Sequence, residues 1–169
     1  SGSSRPRSPQ LKSTTRSEGA LKLILDDSVT LESRGTVNSE GLRPLEFEQR
    51  RAGNSSRDVR AVFDWNKGVL QSTFRGEVSE IALPKATQDR VSVMYQFMFL
   101  KPEKLRVLEF PMTNGRKLDR YRYRMLPEVE IDTGLGKLKT LHLMKEHEPG
   151  ESAAEVWLSP QHQYLPVKL

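Results

Sequence analysis

Short segments of alternating hydrophobic and polar residues recur along this chain, and turn residues separate them. In the clearest segment, three arginines alternate with three large apolar residues. They are Arg120, Arg122 and Arg124, interleaved with Tyr121, Tyr123 and Met125. Successive side chains of a strand point to opposite faces, so this alternation predicts a strand with one cationic face and one apolar face. Similar segments between residues 20 and 83 and between residues 105 and 169 predict about ten strands in all.

Turn signals join these segments into hairpins. The strongest is Asn114-Gly115, a dipeptide typical of two-residue hairpin turns. Others lie at Ala52–Ser56, Asn66–Gly68 and Thr133–Gly136. Consecutive short strands at this spacing favour an antiparallel barrel or sandwich.

One segment, residues 87–100, predicts an α-helix. Thr87 is the predicted N-cap, and Asp89 lies in the first turn, where the helix dipole favours an anion. The apolar residues cover more than half of the helix circumference, which indicates a mostly buried helix. They are Val91, Val93, Met94, Tyr95, Phe97, Met98 and Leu100. The predicted fold class is therefore mainly β: an antiparallel curved sheet or barrel-like meander, with one buried α-helix over about residues 87–100 packed on it as a plug or lid.

The length of 169 residues fits one domain with a tail. Residues 1–17 are rich in Ser, Pro, Arg and Thr, and we predict a disordered or linker-like basic tail there. Residues 18–169 form the predicted single β-barrel-like domain. The tail carries four cations and no acid, so the net charge of +5 leaves +1 for the domain. Because basic charge is not concentrated on the domain, we expect no nucleic-acid partner.

The chain contains no cysteine, which excludes disulfides, a cysteine nucleophile and a cysteine zinc site. The longest apolar run, Val93–Leu100, is interrupted by Gln96 and is shorter than the roughly 20 residues of a membrane-spanning helix. Ser1–Ser4 is typical of a linker remnant. We therefore expect the natural chain to begin earlier, with a targeting segment outside this sequence.

Catalytic motifs are not evident. The histidines, His142, His147 and His162, lack the spacing of a metal-binding pair such as HExxH. No serine lies in a Gly-x-Ser-x-Gly elbow. Gly134-Leu-Gly136-Lys137 is only superficially similar to a phosphate loop, because position 131 is Ile where the Walker spacing requires glycine. We predict no catalytic residue, no metal site and no cofactor.

Two groups of residues are candidates for ligand binding. The first is the arginine stripe, Arg120, Arg122 and Arg124, whose guanidinium groups can hold an anionic headgroup or a sugar phosphate. The alternative is that the stripe pairs with acids on a solvated face. The candidate acids are Glu109, Glu128, Glu130 and Asp132.

The second group belongs to the predicted helix. It consists of Met94, Tyr95, Phe97 and Met98. Methionine and aromatic side chains suit adaptable apolar pockets, although they also form ordinary cores. At the start of the helix, Asp89 and Arg90 either line the mouth of a pocket or complete the N-terminal turn.

Four segments, taken in order, resemble the bacterial domain-of-unknown-function family 3108, which is common in proteobacterial envelope proteins. They are Gly41–Arg51, Leu83–Ser92, Tyr121–Arg124 with Asp132–Thr140, and Val156–Pro160 with Tyr164–Val167. The resemblance covers roughly residues 20–169. It implies an all-β, barrel-like fold and an exported protein of a Gram-negative bacterium, periplasmic or membrane-associated and tethered to a membrane in its natural form. It implies no catalytic residues.

These observations together lead us to expect a non-catalytic cell-envelope protein. We expect it to bind an apolar or amphiphilic ligand, such as a lipid, in a barrel-like cavity. One alternative is an envelope interaction or assembly module that binds a protein partner through exposed strand edges. Another is a hydrolase whose active-site residues are dispersed along the chain.

Overall fold

The computed structural model describes residues 17–25, 28–39, 41–99, 106–151 and 153–169. These residues form two six-stranded sheets that curl into a half-barrel. The predicted fold class, mainly β with a curved antiparallel meander, is confirmed. Residues 1–16 of the predicted basic tail lie outside the described residues, and its last residue, Ser17, begins the first strand.

The first sheet is an antiparallel meander of six consecutive strands. They are β1 (Ser17–Leu25), β2 (Val29–Asn38), β3 (Gly41–Arg51), β4 (Val59–Asp64), β5 (Val69–Phe74) and β6 (Glu77–Ala82). Every second residue of a central strand is buried, as Val59, Ala61 and Phe63 of β4 illustrate. This period of two places one face of the sheet on the core and leaves the other in solvent.

The second sheet contains β7 (Gln88–Asp89), β8 (Val107–Thr113), β9 (Leu118–Thr133), β10 (Gly136–Lys145), β11 (Glu155–Ser159) and β12 (Leu165–Lys168). Its strand order is β12-β11-β10-β9-β8-β7, antiparallel except for the parallel pair β7 and β8. β9 runs through 16 residues without a break. Pro127 of β9 lies where the register with β10 shifts, which is how a long strand accommodates a proline.

The helix α1 (Ser92–Gln96) is much shorter than the predicted helix over residues 87–100. Gln88 and Asp89 pair with β8 as a strand, and the Thr87 hydroxyl donates to the Pro84 carbonyl instead of capping the helix. The Asp89 carboxylate accepts the N–H groups of Val91 and Ser92, so the helix can begin only after it. Residues 97–99 continue as a turn, and residue 100 lies outside the described residues.

The helix α1 lies between the two sheets, and apolar residues on each of its sides pack against one of them. Val91 and Tyr95 pack against the core of the first sheet, whereas Val93, Met94 and Phe97 pack against the core of the second. This placement explains why apolar residues cover more than half of the helix circumference.

Two glutamines, Gln88 of β7 and Gln96 of α1, hydrogen-bond the backbone of Leu42 in β3. The Leu42 N–H donates to Gln96 Oε1 over 2.8 Å, and Gln88 Nε2 donates to the Leu42 carbonyl over 2.8 Å. The side chains thus take the two hydrogen bonds that a neighbouring strand would otherwise make. The helix is held to the first sheet by directional bonds as well as by apolar packing.

Candidate functional site

An apolar groove of about 480 Å³ lies between α1 and the second sheet. Its described lining combines the helix segment with β8, β9 and β11. The apolar members are Val93, Met94, Phe97, Met112, Tyr123, Ala153, Ala154, Val156, Trp157 and Leu169. Phe97 meets Tyr123 edge to face, with ring centroids 6.2 Å apart. The groove therefore opens directly onto the second core, and soft or aromatic side chains form much of its wall.

Two charged residues, Arg90 and Glu155, complete the described lining. Arg90 is half-buried, and its Nη1 donates to Gln49 Oε1 over 3.0 Å. Oε1 of Glu155 lies 3.1 Å from Nε2 of His142, whose ring stacks on Trp157 at a centroid distance of 4.5 Å. Glu155 thus contacts a histidine, whereas Arg90 donates a hydrogen bond to a neutral amide.

The structure brings together some of the predicted ligand-lining residues and separates others. Met94 and Phe97 line the groove. Tyr95 packs on the opposite side of α1 against the first core, and the half-buried Met98 is not part of the groove lining. Sequence reasoning named neither Met112 nor Trp157 as a ligand-lining residue. Tyr123 was detectable, since it occupies the apolar face of the alternating segment that became β9.

The arginine stripe lies on the exposed face of β9, away from the groove. Arg120 pairs with Glu109, which confirms one of the predicted partners. Arg122 and Arg124 both pair with Glu146, at 3.2 Å each. A hollow of about 710 Å³ beside the stripe is lined mainly by charged residues of both signs. Ligand binding by the stripe stays a prediction, while its ion pairs are those of a solvated face.

Asp89 is fully buried at the junction of β7 and α1. Its Oδ2 accepts a hydrogen bond of 2.5 Å from the Ser33 hydroxyl, and its Oδ1 accepts the N–H groups of Val91 and Ser92. Burial raises the pKa of this carboxyl above its ordinary value of 3.8, and the hydrogen bonds from Ser33, Ser92 and Val91 oppose that shift. Of the two residues expected at a pocket mouth, Asp89 is therefore a structural link, and Arg90 lines the groove.

Tyr123 forms the floor of the groove with its ring stacked on Phe110 at a centroid distance of 5.8 Å. Burial, with a smaller contribution from Tyr121, raises the pKa of Tyr123 to about 12. The phenol is thus neutral at physiological pH and adds no negative charge to the groove.

The described residues contain no group of three His, Asp or Glu side chains that could hold a metal ion. Two histidine pairs do occur. Ser159 Oγ lies 2.8 Å from His162 Nδ1, and His142 contacts Glu155. Ser159 is fully buried, and its histidine is not the one that contacts a carboxylate. Within the described part of the chain, these pairs do not assemble the serine, histidine and acid that the hydrolase alternative requires.

No described helix has the length and apolar content that crossing a bilayer requires. The profile of the family described as "Protein of unknown function (DUF3108)" matches residues 4–169. No curated protein and no solved structure matches the sequence. The match spans nearly the whole chain, so the chain belongs to the DUF3108 family, as the four ordered segments indicated.

Proposed function

We propose that this DUF3108 protein is a non-catalytic binding protein that holds the apolar part of an amphiphile, such as a lipid, in the apolar groove. The observation that carries the proposal is the groove itself, a concavity between α1 and the second sheet with apolar walls. Its volume of about 480 Å³ falls within the range of roughly 300–1,000 Å³ typical of small-molecule sites.

The side chains of the wall also support this function. Met94 and Met112 are unbranched and flexible, so they can adjust to an acyl chain of variable shape. Trp157 presents a large apolar surface beside the polar pair of His142 and Glu155. A site that is apolar along its length and charged at two residues matches a molecule with an apolar body and a polar head.

The test is native mass spectrometry of freshly purified protein, combined with analysis of an organic extract. We expect a retained amphiphile in the unmodified chain. Ala153→Phe should reduce the bound amount severalfold, because Ala153 is an exposed residue of the groove wall and the larger ring would occupy the groove. Ala52→Phe, at an exposed alanine between β3 and β4, is the matched control. An empty unmodified chain, or equal retention by the two variants, contradicts the proposal.

For the cellular site we propose the bacterial envelope, in the periplasm or at a membrane surface. This location rests on what the family resemblance implies, and a protein that carries a lipid there would keep an acyl chain out of water. The test is fractionation of the source bacterium with an antibody to this chain. Recovery in the cytoplasmic fraction would contradict the location without affecting the groove.

The outer strands of the first sheet favour a second candidate function, protein binding at a strand edge. Among the described residues, β1 pairs only with β2, and β6 only with β5. Ile24 of β1 and Val78 of β6 are about 60% exposed, which is unusual for large apolar side chains of a strand edge. Capture of an envelope protein by the unmodified chain, and its loss in Ile24→Lys or Val78→Lys, would support this function. Capture that neither substitution weakens would oppose it.

A further inference from the structure

We propose that the apolar groove selects a long-chain carboxylate, whose head binds the guanidinium of Arg90. The structural basis is the juxtaposition of one half-buried arginine with an apolar wall formed by Met94, Phe97 and Trp157. This inference rests on the proposed function, because it specifies the chemical class of the ligand in the same groove.

Arg90 is the only cation among the described residues that line the groove. It forms no ion pair with a described carboxylate. Its hydrogen bond goes to the side-chain carbonyl of Gln49, a neutral group. No described carboxylate therefore neutralises the charge of Arg90.

A half-buried guanidinium without a counter-ion is unfavourable, because burial removes water and nothing charged replaces it. An arginine has five N–H donors in a planar arrangement that matches a carboxylate. The bond to Gln49 occupies one nitrogen and leaves donors available to a ligand. An anionic head that enters with its acyl chain in the groove would supply the missing partner through charge-assisted hydrogen bonds.

The charges around the groove favour a head with a single negative charge. Arg90 contributes one positive charge to the described lining. Glu155 contributes one negative charge, but its carboxylate contacts His142. Tyr123 is neutral at physiological pH. A carboxylate balances Arg90, whereas a phosphate monoester carries about −1.5 to −2 at pH 7 and would leave excess negative charge beside Glu155.

The arginine stripe provides the contrast. Arg120 is exposed and already paired with Glu109, so an incoming anion would have to displace an acid that the chain supplies. Solvent also weakens any attraction at that face. The structure thus assigns recognition of the anionic head to Arg90 and leaves Arg120 as a matched control.

The experiment is a calorimetric titration of the delipidated full chain with dodecanoate, dodecanol and dodecyl phosphate, each below its micelle concentration. We expect dodecanoate to bind most tightly. Arg90→Gln should weaken the binding of dodecanoate by about 10- to 100-fold, which is the loss expected for one charge-assisted hydrogen-bond pair. The same substitution should leave the affinity for dodecanol nearly unchanged. Arg90→Lys should recover part of the loss because it restores the charge. Arg120→Gln should behave like the unmodified chain. Thermal melting of each unliganded variant checks that it is folded.

The outcomes separate the two proposals. If dodecanol and dodecanoate bind equally and Arg90→Gln changes neither, the groove binds apolar chains and the assignment of Arg90 is wrong. A loss in Arg120→Gln as large as that in Arg90→Gln, or tighter binding of dodecyl phosphate than of dodecanoate, also overturns the assignment. If no probe binds the delipidated chain, or if Ala153→Phe binds all of them normally, the proposed function itself fails.

Discussion

The two sides of α1 are built differently. Toward the first sheet, directional hydrogen bonds hold the segment that contains the helix to β2 and β3: Ser33 to Asp89, and Leu42 to Gln96. Toward the second sheet, the helix segment meets the aromatic and methionine side chains of β8 and β9, and a groove of about 480 Å³ remains between them. The same short helix thus has one sealed side and one open side.

Because of this difference, the two sides of α1 have different roles. Hydrogen bonds with fixed partners hold α1 at one distance from the first sheet, because a buried donor or acceptor that loses its partner destabilises the protein. Apolar contacts are not directional, so they tolerate a changed spacing at the groove. The sealed side fixes the position of the helix, and the open side leaves room for a ligand.

We expect the largest effect on stability from truncating one apolar side chain on each side of α1. Leu70 is fully buried in the first core, so Leu70→Ala should destabilise the protein by about 3–5 kcal/mol. Met112→Ala should cost about 2 kcal/mol, because Met112 lines the existing groove and its removal creates little new enclosed volume. Urea unfolding at pH 7 measures both. Equal losses of unfolding free energy in the two variants would mean that the groove side is packed as tightly as the first core.

Removing the buried carboxylate of Asp89 on the sealed side should have the next largest effect on stability. Asp89→Leu leaves the Ser33 hydroxyl and the N–H groups of Val91 and Ser92 without their acceptor, at a cost of about 3 kcal/mol or more. Asp89→Asn is the control, since its amide oxygen can still accept the two N–H groups. Urea unfolding should place Asp89→Asn nearer the unmodified chain, and the reverse order would contradict the role assigned to these bonds.

Gly115→Ala tests the close approach of the β8–β9 turn to the first sheet. Gly115 has a φ of +93°, and an added Cβ would lie 2.6 Å from Cγ1 of Val59. We expect a loss of about 2–3 kcal/mol from strain and overpacking together. Gly53→Ala separates the two causes, because Gly53 has a φ of +74° with open space around it, and it should cost about 1 kcal/mol. Similar melting temperatures for the two variants would contradict the proposed close contact.

The smallest predicted effect concerns the floor of the groove at high pH. Tyr123 has a pKa of about 12 in the folded chain, against an ordinary value of 10.0. The folded state therefore holds this proton more tightly, and its stabilisation is lost as the pH rises from 10 toward 12. At pH 11 the loss should be about 1 kcal/mol, and Tyr123→Phe should lack it. Urea unfolding at pH 7 and pH 11 measures the difference, and an equal alkaline loss in both chains would show that other groups cause it.

The strands could largely be predicted from the sequence, because each depends on a local pattern. Strict alternation identified the segment around Tyr121 and Tyr123, and its apolar face indeed packs into the second core. The dipeptide Asn114-Gly115 marked the turn between β8 and β9. The ion pair of Arg120 could also be predicted, since Glu109 was among the acids expected to pair with the stripe.

The helix and the groove depend on contacts between segments distant in the chain, which no local pattern contains. The apolar residues from Val91 onward suggested a long helix, but they are apolar because both sheets cover this segment. From the sequence, Asp89 is typical of the exposed first turn of a helix. In the structure its carboxylate accepts a hydrogen bond from Ser33, which lies 56 positions earlier in the chain. Likewise, nothing in the sequence distinguishes Arg90, which forms no ion pair with a described carboxylate, from the ion-paired arginines of β9.

The glutamine bonds to Leu42 have a mechanical consequence for any guest of the groove. Gln88 and Gln96 hydrogen-bond the N–H and the carbonyl of Leu42, so the segment from Gln88 to Gln96 cannot shift away from β3 without leaving these groups unpaired. A guest bulkier than the resting space must then push on the opposite wall, at β8 and β11. Entry of such a guest would spread the half-barrel rather than lift a lid.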